Sequence, residues 1–163
     1  MEHLSKIYLD TSVINFLYAD DSPELKEITI DLFENYIGKN FYKTYISDFV
    51  LFEIGKTKDP SKKEKLLKII EDYKIELLYN DNKDEIIQLG KIYLERGVIP
   101  KSSEIDAYHV AYCVICNINY LVSWNYKHLA NINKERTIKL INIEHNYINE
   151  LRIITPLELL SNE

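Results

Sequence analysis

The chain has 163 residues, enough for one compact domain with a buried core but few for two, so we expect a single domain over residues 1–163. Its 26 acidic and 20 basic side chains give a net charge of −6, which argues against binding of nucleic acid through overall charge. The longest uninterrupted apolar run, Val110 to Cys116, is too short to span a membrane, and two cysteines cannot form a disulfide framework, so we expect a protein of the reducing cytoplasm.

Short apolar runs alternate with amphipathic stretches along the whole chain, which is typical of βα units around a parallel sheet. We predict strands at Ile7 to Leu9, Tyr42 to Ile46, Ile75 to Tyr79, Tyr120 to Val122 and Arg152 to Thr155. The helices that we predict between them are Pro23 to Tyr36, Pro60 to Tyr73, Asp84 to Leu94 and Ser103 to Asn117. Functional side chains are then expected outside the carboxyl ends of the strands.

Glycine spacing excludes the two commonest phosphate-binding loops. The four glycines, Gly38, Gly55, Gly90 and Gly97, are too scattered to form a G-x-G-x-x-G or a G-x-x-x-x-G-K-[ST] motif. If this chain binds a phosphate group, it must do so through another kind of site.

Two aspartates stand at the ends of predicted elements. Asp10 directly follows the first strand, although an aspartate before a helix is also a common N-cap, and Thr11 or Ser12 could cap equally well. Asp106 opens the most apolar helix, where Ser103-x-x-Asp106 also fits a capping box and an acid suits the helix dipole. Capping could account for either residue alone.

Glu53 has the least polar surroundings of any carboxylate in the chain, within the stretch Phe49 to Ile54. A buried carboxylate is normally paired, protonated or bound to a metal, because an unpaired buried charge is costly. The alternative is a glutamate on a narrow solvent-facing stripe. We favour a functional role.

The three acids occupy comparable places: Asp10 at the end of strand one, Glu53 about a turn into the helix after strand two, and Asp106 at the start of the helix before strand four. If strand one is central, with strands two and four beside it, all three converge on one edge of the sheet. Clustered carboxylates raise one another's pKa unless a cation neutralises them. Oxygen ligands of this kind suit Mg²⁺ or Mn²⁺ rather than Zn²⁺.

Four stretches of the chain resemble the PIN domain, and in particular the VapC-type toxins of bacterial and archaeal toxin-antitoxin pairs. They occur in the family's order and span nearly the whole chain: Ile7 to Asn15 (IYLDTSVIN), Ser47 to Ile54 (SDFVLFEI), Asp106 to Ala111 (DAYHVA) and Leu121 to Leu129 (LVSWNYKHL). Each motif is weak alone, but the ordered set is fairly specific.

The resemblance implies a three-layer α/β/α PIN-like domain with a central parallel sheet of about five strands in the order 3-2-1-4-5. It implies a Mg²⁺- or Mn²⁺-dependent endoribonuclease with Asp10, Glu53 and Asp106 as the acidic metal ligands, leaving a 5′-phosphate and a 3′-hydroxyl. It further implies a homodimer that a small antitoxin protein holds inactive.

The chain departs from the family after strand four, where many members carry another aspartate and this chain has Asn125. Asn125 could still supply a carbonyl ligand or position a water, but the lost charge puts a second metal in doubt. Residues that could orient the ligands or touch the substrate are Thr11, Ser12, Asn15, Ser123 and His128. Turn chemistry would explain Thr11, Ser12 and Asn15 as well, and His128 could equally have a surface role. His109 follows Asp106 by three positions on the same helix face and could support the ligands, but we favour a partly buried ring satisfied by a backbone group.

Two other functions remain open at this point. A catalytically inactive PIN-like module that binds RNA or a protein is compatible with Asn125. An aspartyl-nucleophile phosphohydrolase is less favoured, because Asp10 fits the D-x-D-x-[TV] pattern of the haloacid dehalogenase fold only in part: Ser12 stands where that pattern has its general acid. The densest basic stretch, Lys56 to Lys68, could hold RNA phosphates or could form a solvated helix face.

Overall fold

A computed structural model of the chain describes residues 3–161 and contains one parallel sheet of five strands. The strands are β1 (Lys6–Leu9), β2 (Lys43–Ile46), β3 (Glu76–Leu77), β4 (Tyr120–Val122) and β5 (Arg152–Ile154). Their order is β3-β2-β1-β4-β5, so the predicted order is confirmed. In the register of the sheet, Ile7 of β1 lies beside Thr44 of β2 and Tyr120 of β4.

Helices connect the strands and flank the sheet in a three-layer α/β/α arrangement. They are α1 (Thr11–Asn15), α2 (Pro23–Asp31), α3 (Asp48–Gly55), α4 (Pro60–Asp72), α5 (Lys83–Glu95), α6 (Glu104–Ile115), α7 (Ile132–Glu144) and α8 (Pro156–Ser161). Short 3₁₀ segments cover Phe16–Tyr18 and Lys101–Ser103, and a π-helical turn, Leu32–Ile37, extends α2. None of the helices within residues 3–161 combines the length and apolar character needed to cross a membrane.

The central strand β1 is buried along its apolar run, where Ile7, Tyr8 and Leu9 are all fully inaccessible. Strands covered on both faces read as continuous apolar sequence, and this explains why β1 shows no alternation. The edge strand β3 differs, because both of its residues are exposed and only two residues pair with β2. The predicted strand Ile75 to Tyr79 is therefore shorter in the structure, and Tyr79 is exposed.

The packing of α5 against α6 leaves no room for a side chain at Gly90. A Cβ atom built there would lie 2.7 Å from Cε1 of Tyr108, well inside van der Waals contact. The Tyr108 ring is itself held, since it stacks on Phe49 with ring centroids 5.0 Å apart and donates its hydroxyl to Glu104 at 2.7 Å. Gly90 therefore sets the distance between these two helices.

Helices α7 and α8 were not predicted from the sequence, and no bounds were predicted for α1 and α3. The apolar residues of α7 do not form one stripe: Ile138 and Ile141 are buried, whereas Ile132, Leu140 and Ile143 are more than half exposed. Without a single apolar face the helical period is hidden in the sequence. The six-residue α8 begins at Pro156, directly after the last strand, and is too short to show a period.

Candidate active site

Residues from four parts of the chain line one cavity of about 260 Å³ at the carboxyl edge of the sheet. They are Asp10, Thr11, Ser12, Asn15, Glu53, Asp106 and Asn125. A larger cleft, of about 700 Å³, lies beside Tyr120 and Arg152 at the amino ends of β4 and β5. Its Glu135 is already paired with Arg152, with 3.1 Å between the carboxylate and Nε. Size therefore does not identify the site, whereas the convergence of three carboxylates does.

Asp10 is both the N-cap of α1 and a wall of the cavity. Its side chain is almost fully buried, at 3% exposure. Oδ1 accepts hydrogen bonds from the Ser12 hydroxyl and from the Val13 backbone N–H, and Oδ2 accepts one from the Ser123 hydroxyl. Burial raises the pKa of Asp10, and the hydrogen bonds from Ser12 and Ser123 act against that rise. Asp10 therefore caps α1 and lines the cavity at the same time.

Glu53 lies on α3, which Ser47 caps directly after β2. Its Oε1 atom accepts two hydrogen bonds, one from the Thr11 hydroxyl and one from Nε2 of His109, each at 2.7 Å. Burial acts to raise the pKa of Glu53, but its interactions with His109 and Thr11 outweigh burial and leave the pKa lowered. Glu53 is therefore ionised at neutral pH.

Asp106 does not form the capping box that the sequence allowed. The Ser103 side chain makes no capping hydrogen bond, and the Ser103 N–H donates instead to the carbonyl of Pro100 at 2.8 Å. Oδ2 of Asp106 accepts from the Asn125 amide at 3.0 Å. Burial and the negative charge of Asp10 raise the pKa of Asp106 to about 6, with a further contribution from Glu53.

Asn125 acts in this structure as a donor to the cluster. Its amide nitrogen donates to Asp106, while its carbonyl oxygen accepts the backbone N–H of His128 at 3.1 Å. Because the carbonyl is engaged in this turn, the amide group is the part of Asn125 that faces the acids. The contact lowers the electrostatic cost of ionising Asp106.

The start of α1 and the loop after β4 are held together by serine hydroxyls. Ser12 Oγ accepts the Trp124 backbone N–H at 3.0 Å, and Ser123 Oγ accepts the Asn125 N–H at 2.9 Å. Both hydroxyls also donate to Asp10. Loop cross-linking and orientation of Asp10 are therefore performed by the same two residues.

Two other residues predicted for the site stand apart from this network. Asn15 lines the cavity, and no hydrogen bond of its side chain occurs among residues 3–161. His128 does not line the cavity, and its backbone N–H donates to the side-chain carbonyl of Asn125.

Behind Glu53 lie two buried polar residues, of which sequence reasoning missed Tyr8 and favoured the wrong partner for His109. The expectation that a backbone group satisfies His109 was wrong: its ring is fully buried, with Nδ1 2.6 Å from Tyr8 Oη and Nε2 on Glu53. Tyr8 Oη lies 2.6 Å from Ser47 Oγ as well. Burial raises the pKa of Tyr8, so its hydroxyl keeps its proton. The available signal was the spacing of Asp106 and His109, one helical turn apart in an otherwise apolar helix.

The chemistry of the donors suits a hard divalent cation. Three carboxylates meet with only oxygen atoms to offer, and no lysine or arginine within residues 3–161 hydrogen-bonds to any of them. Over the same residues, however, no group of three or more histidine, cysteine, aspartate or glutamate side chains is already arranged to hold a metal ion. Both oxygens of Asp10, Oε1 of Glu53 and Oδ2 of Asp106 instead accept hydrogen bonds from neighbouring donors.

Comparison with known proteins supports the fold. No protein family model matches the chain, and no curated protein matches it. Among solved structures, a chain of VapBC2 from Rickettsia felis, crystallised bound to a DNA fragment from their promoter, is similar with a TM-score of 0.57. The likeness covers 91% of this chain and 98% of that chain at 17% sequence identity. The predicted resemblance to VapC-type PIN domains is thereby confirmed at the level of the fold.

Proposed function

We propose that this protein is a Mg²⁺- or Mn²⁺-dependent endoribonuclease that hydrolyses RNA phosphodiester bonds. The observation that carries the proposal is the convergence of Asp10, Glu53 and Asp106, from three separate elements, on one cavity at the carboxyl edge of a parallel sheet. Their electrostatic coupling supports it, because the charges of Asp10 and Glu53 both raise the pKa of Asp106. A divalent cation is the partner that would relieve this repulsion.

Asp10, Glu53 and Asp106 would hold the cation. The chemistry supplied there by Mg²⁺ or Mn²⁺ is activation of water for in-line attack and neutralisation of phosphate charge. Hydroxyl and amide donors already hold Oε1 of Glu53, Oδ2 of Asp10 and Oδ2 of Asp106 in place.

The surrounding residues orient the ligands. Thr11 holds Glu53, Ser12 and Ser123 hold Asp10, and Asn125 holds Asp106. Such contacts reduce the number of orientations that each carboxylate can adopt. We assign Asn15, which lines the cavity, and His128, whose backbone N–H binds Asn125, to contact with the RNA.

A cleft of about 410 Å³ continues from the cavity and offers a path for the RNA backbone. It shares Glu53 and Asp106 with the cavity, and Lys101 lines it. Lys56, one turn after Glu53, adds a second positive charge that lowers the pKa of Glu53. These cations would meet phosphates locally, in a protein whose net charge of −6 repels RNA as a whole.

The biological setting that we propose is a toxin-antitoxin pair. The similar solved chain belongs to VapBC2, which was crystallised with promoter DNA. By that likeness, this chain would act in the cytoplasm as a homodimer that a small antitoxin protein inhibits.

Cleavage of RNA by the purified protein tests the proposal. We expect cleavage that requires added Mg²⁺ or Mn²⁺, and a loss of at least about 100-fold in Asp10→Asn, because the substitution removes one negative ligand. Asp72→Asn makes the same chemical change at an exposed position on α4 and should cleave at the wild-type rate.

Each rival function has its own outcome. Binding of RNA without cleavage, unaffected by Asp10→Asn, would replace the nuclease with the inactive binding module. Trapping of a covalent phosphoaspartate at Asp10 would favour the phosphohydrolase.

A further inference from the structure

The Ser47 hydroxyl determines the direction of the hydrogen bonds behind Glu53. Ser47 is fully buried and caps α3 by accepting the Phe49 backbone N–H at 3.2 Å. Its own hydrogen needs an acceptor, and within residues 3–161 the acceptor that its hydroxyl contacts is Tyr8 Oη at 2.6 Å. A buried hydroxyl without an acceptor is costly, so Ser47 donates to Tyr8.

The same reasoning continues along the chain of side chains. Tyr8 accepts from Ser47, and its one hydrogen therefore goes to its other neighbour, Nδ1 of His109, at 2.6 Å. Nδ1 must then be unprotonated. In a neutral imidazole the proton lies on Nε2, the atom that contacts Glu53 Oε1 at 2.7 Å.

We propose that Tyr8 and His109 are positioning residues that orient Glu53 through a one-directional chain of hydrogen bonds running from Ser47 to Tyr8, His109 and Glu53. The effect on metal binding rests on the proposed function, whereas the series of hydrogen bonds does not depend on it. Both described hydrogen bonds of Glu53 end on Oε1, from Thr11 and His109. The other oxygen, Oε2, has no partner among residues 3–161 and is the one available to a ligand in the cavity.

The burial of these hydrogen-bonded side chains explains why they can orient Glu53. Tyr8, Ser47 and His109 are each fully inaccessible, and they come from β1, the start of α3 and α6. Side chains fixed in a packed core lose little further entropy when they hold Glu53 in place. The core of the molecule thus sets the orientation of an acid at its edge.

The first test is the protonation state of the His109 ring. Long-range ¹H–¹⁵N spectra distinguish the two nitrogens of a histidine, and from the hydrogen-bond geometry we expect a proton on Nε2 and none on Nδ1 in the wild-type protein. In Tyr8→Phe the ring loses its donor to Nδ1, and a detectable fraction of the other tautomer should appear. A wild-type ring that carries its proton on Nδ1, or on both nitrogens, would overturn the proposed direction.

The second test is the affinity for Mn²⁺, measured by calorimetry. Removal of outer partners of metal ligands typically weakens binding by about 10- to 100-fold, and we expect about 3- to 10-fold for Tyr8→Phe, which acts through His109. The control is Tyr93→Phe, because Tyr93 is equally buried and its hydroxyl bonds to the Asn142 side chain, which does not line the cavity. Both variants lose one buried hydroxyl, so a difference between them reports on Glu53.

Substitution of His109 separates orientation from simple support of the fold. Gln keeps an N–H donor near the place of Nε2, so His109→Gln should bind Mn²⁺ within about threefold of wild type, whereas His109→Leu should lose about 10- to 100-fold. Equal Mn²⁺ affinity in Tyr8→Phe and Tyr93→Phe, or equal loss in the two His109 variants, would overturn the positioning role. If the wild-type protein binds no Mn²⁺, the proposed function fails, and the ring spectra still decide whether the hydrogen-bond chain exists.

Discussion

At the scale of single residues, the charge cluster changes the pKa of Asp106. Burial and the charges of Asp10 and Glu53 raise its pKa from 3.8 to about 6. In the unfolded chain this carboxyl group loses its proton at a lower pH than in the folded protein. The raised pKa therefore lowers the free energy of unfolding as the pH rises. This destabilisation is absent below the pKa that Asp106 has in the unfolded chain, and it reaches its full size above the pKa that Asp106 has in the folded protein.

The expected result is a stability difference that depends on pH. Without divalent cations, Asp106→Asn should match wild type near pH 4 and exceed it by about 1–3 kcal/mol at pH 7, because each pKa unit corresponds to about 1.4 kcal/mol. Denaturant unfolding in the presence of a chelator measures this. Asp72→Asn, at an exposed site, should show no such change. A constant difference between Asp106→Asn and wild type from pH 4 to pH 7 would contradict the raised pKa.

The residues of the cavity were predictable because their positions follow from the topology. Asp10 follows β1, Glu53 lies in the helix after β2, and Asp106 lies at the start of the helix before β4. Neighbouring parallel strands bring these three places to one edge of the sheet. The pairing of Tyr8 with His109 was not predictable in this way, because it depends on which face of β1 meets α6. Side-chain partners inside a core require the packing, which one sequence does not specify.

At the scale of elements, the contact between α5 and α6 depends on Gly90. The Tyr108 ring fills the space that a Cβ atom would need. Gly90→Ala should therefore destabilise the fold by about 1–3 kcal/mol, as overpacking does. Thermal or denaturant unfolding measures the change.

Gly55 provides the matched control on α3. Nothing lies within 4 Å of a Cβ atom built there, and alanine favours a helix over glycine. Gly55→Ala should be neutral or should stabilise the protein by up to about 1 kcal/mol. If both substitutions changed stability in the same direction, the close approach of α5 and α6 at Gly90 would be contradicted.

The elements that sequence patterns predicted were those with one apolar face or one apolar run. Helices α4 and α5 begin and end within one residue of the predicted limits, whereas α7, with apolar residues all round, was missed. The predicted helix from Pro23 to Tyr36 was extended by one residue, because a π-helical turn continues α2 to Ile37. Local irregularity of this kind leaves no periodic signal.

At the scale of the whole molecule, the net negative charge affects how the protein binds metal cations. A net charge of −6 means that cations are attracted to many surface acids as well as to the cavity. Weak binding of this general kind does not depend on any one residue. Specific binding at the cavity does, and the two can be separated by substituting one acid at a time.

Calorimetric titration of the metal-free protein with Mn²⁺ at neutral pH is the most direct measurement. We expect saturable binding in the wild-type protein and in Asp72→Asn, and a loss of at least about tenfold in affinity in Asp10→Asn, because Asp10 is one of three carboxylates that share the cavity. Absence of saturable binding in the wild-type protein, or equal affinity in Asp10→Asn and Asp72→Asn, would contradict the claim that the three acids together hold a divalent cation.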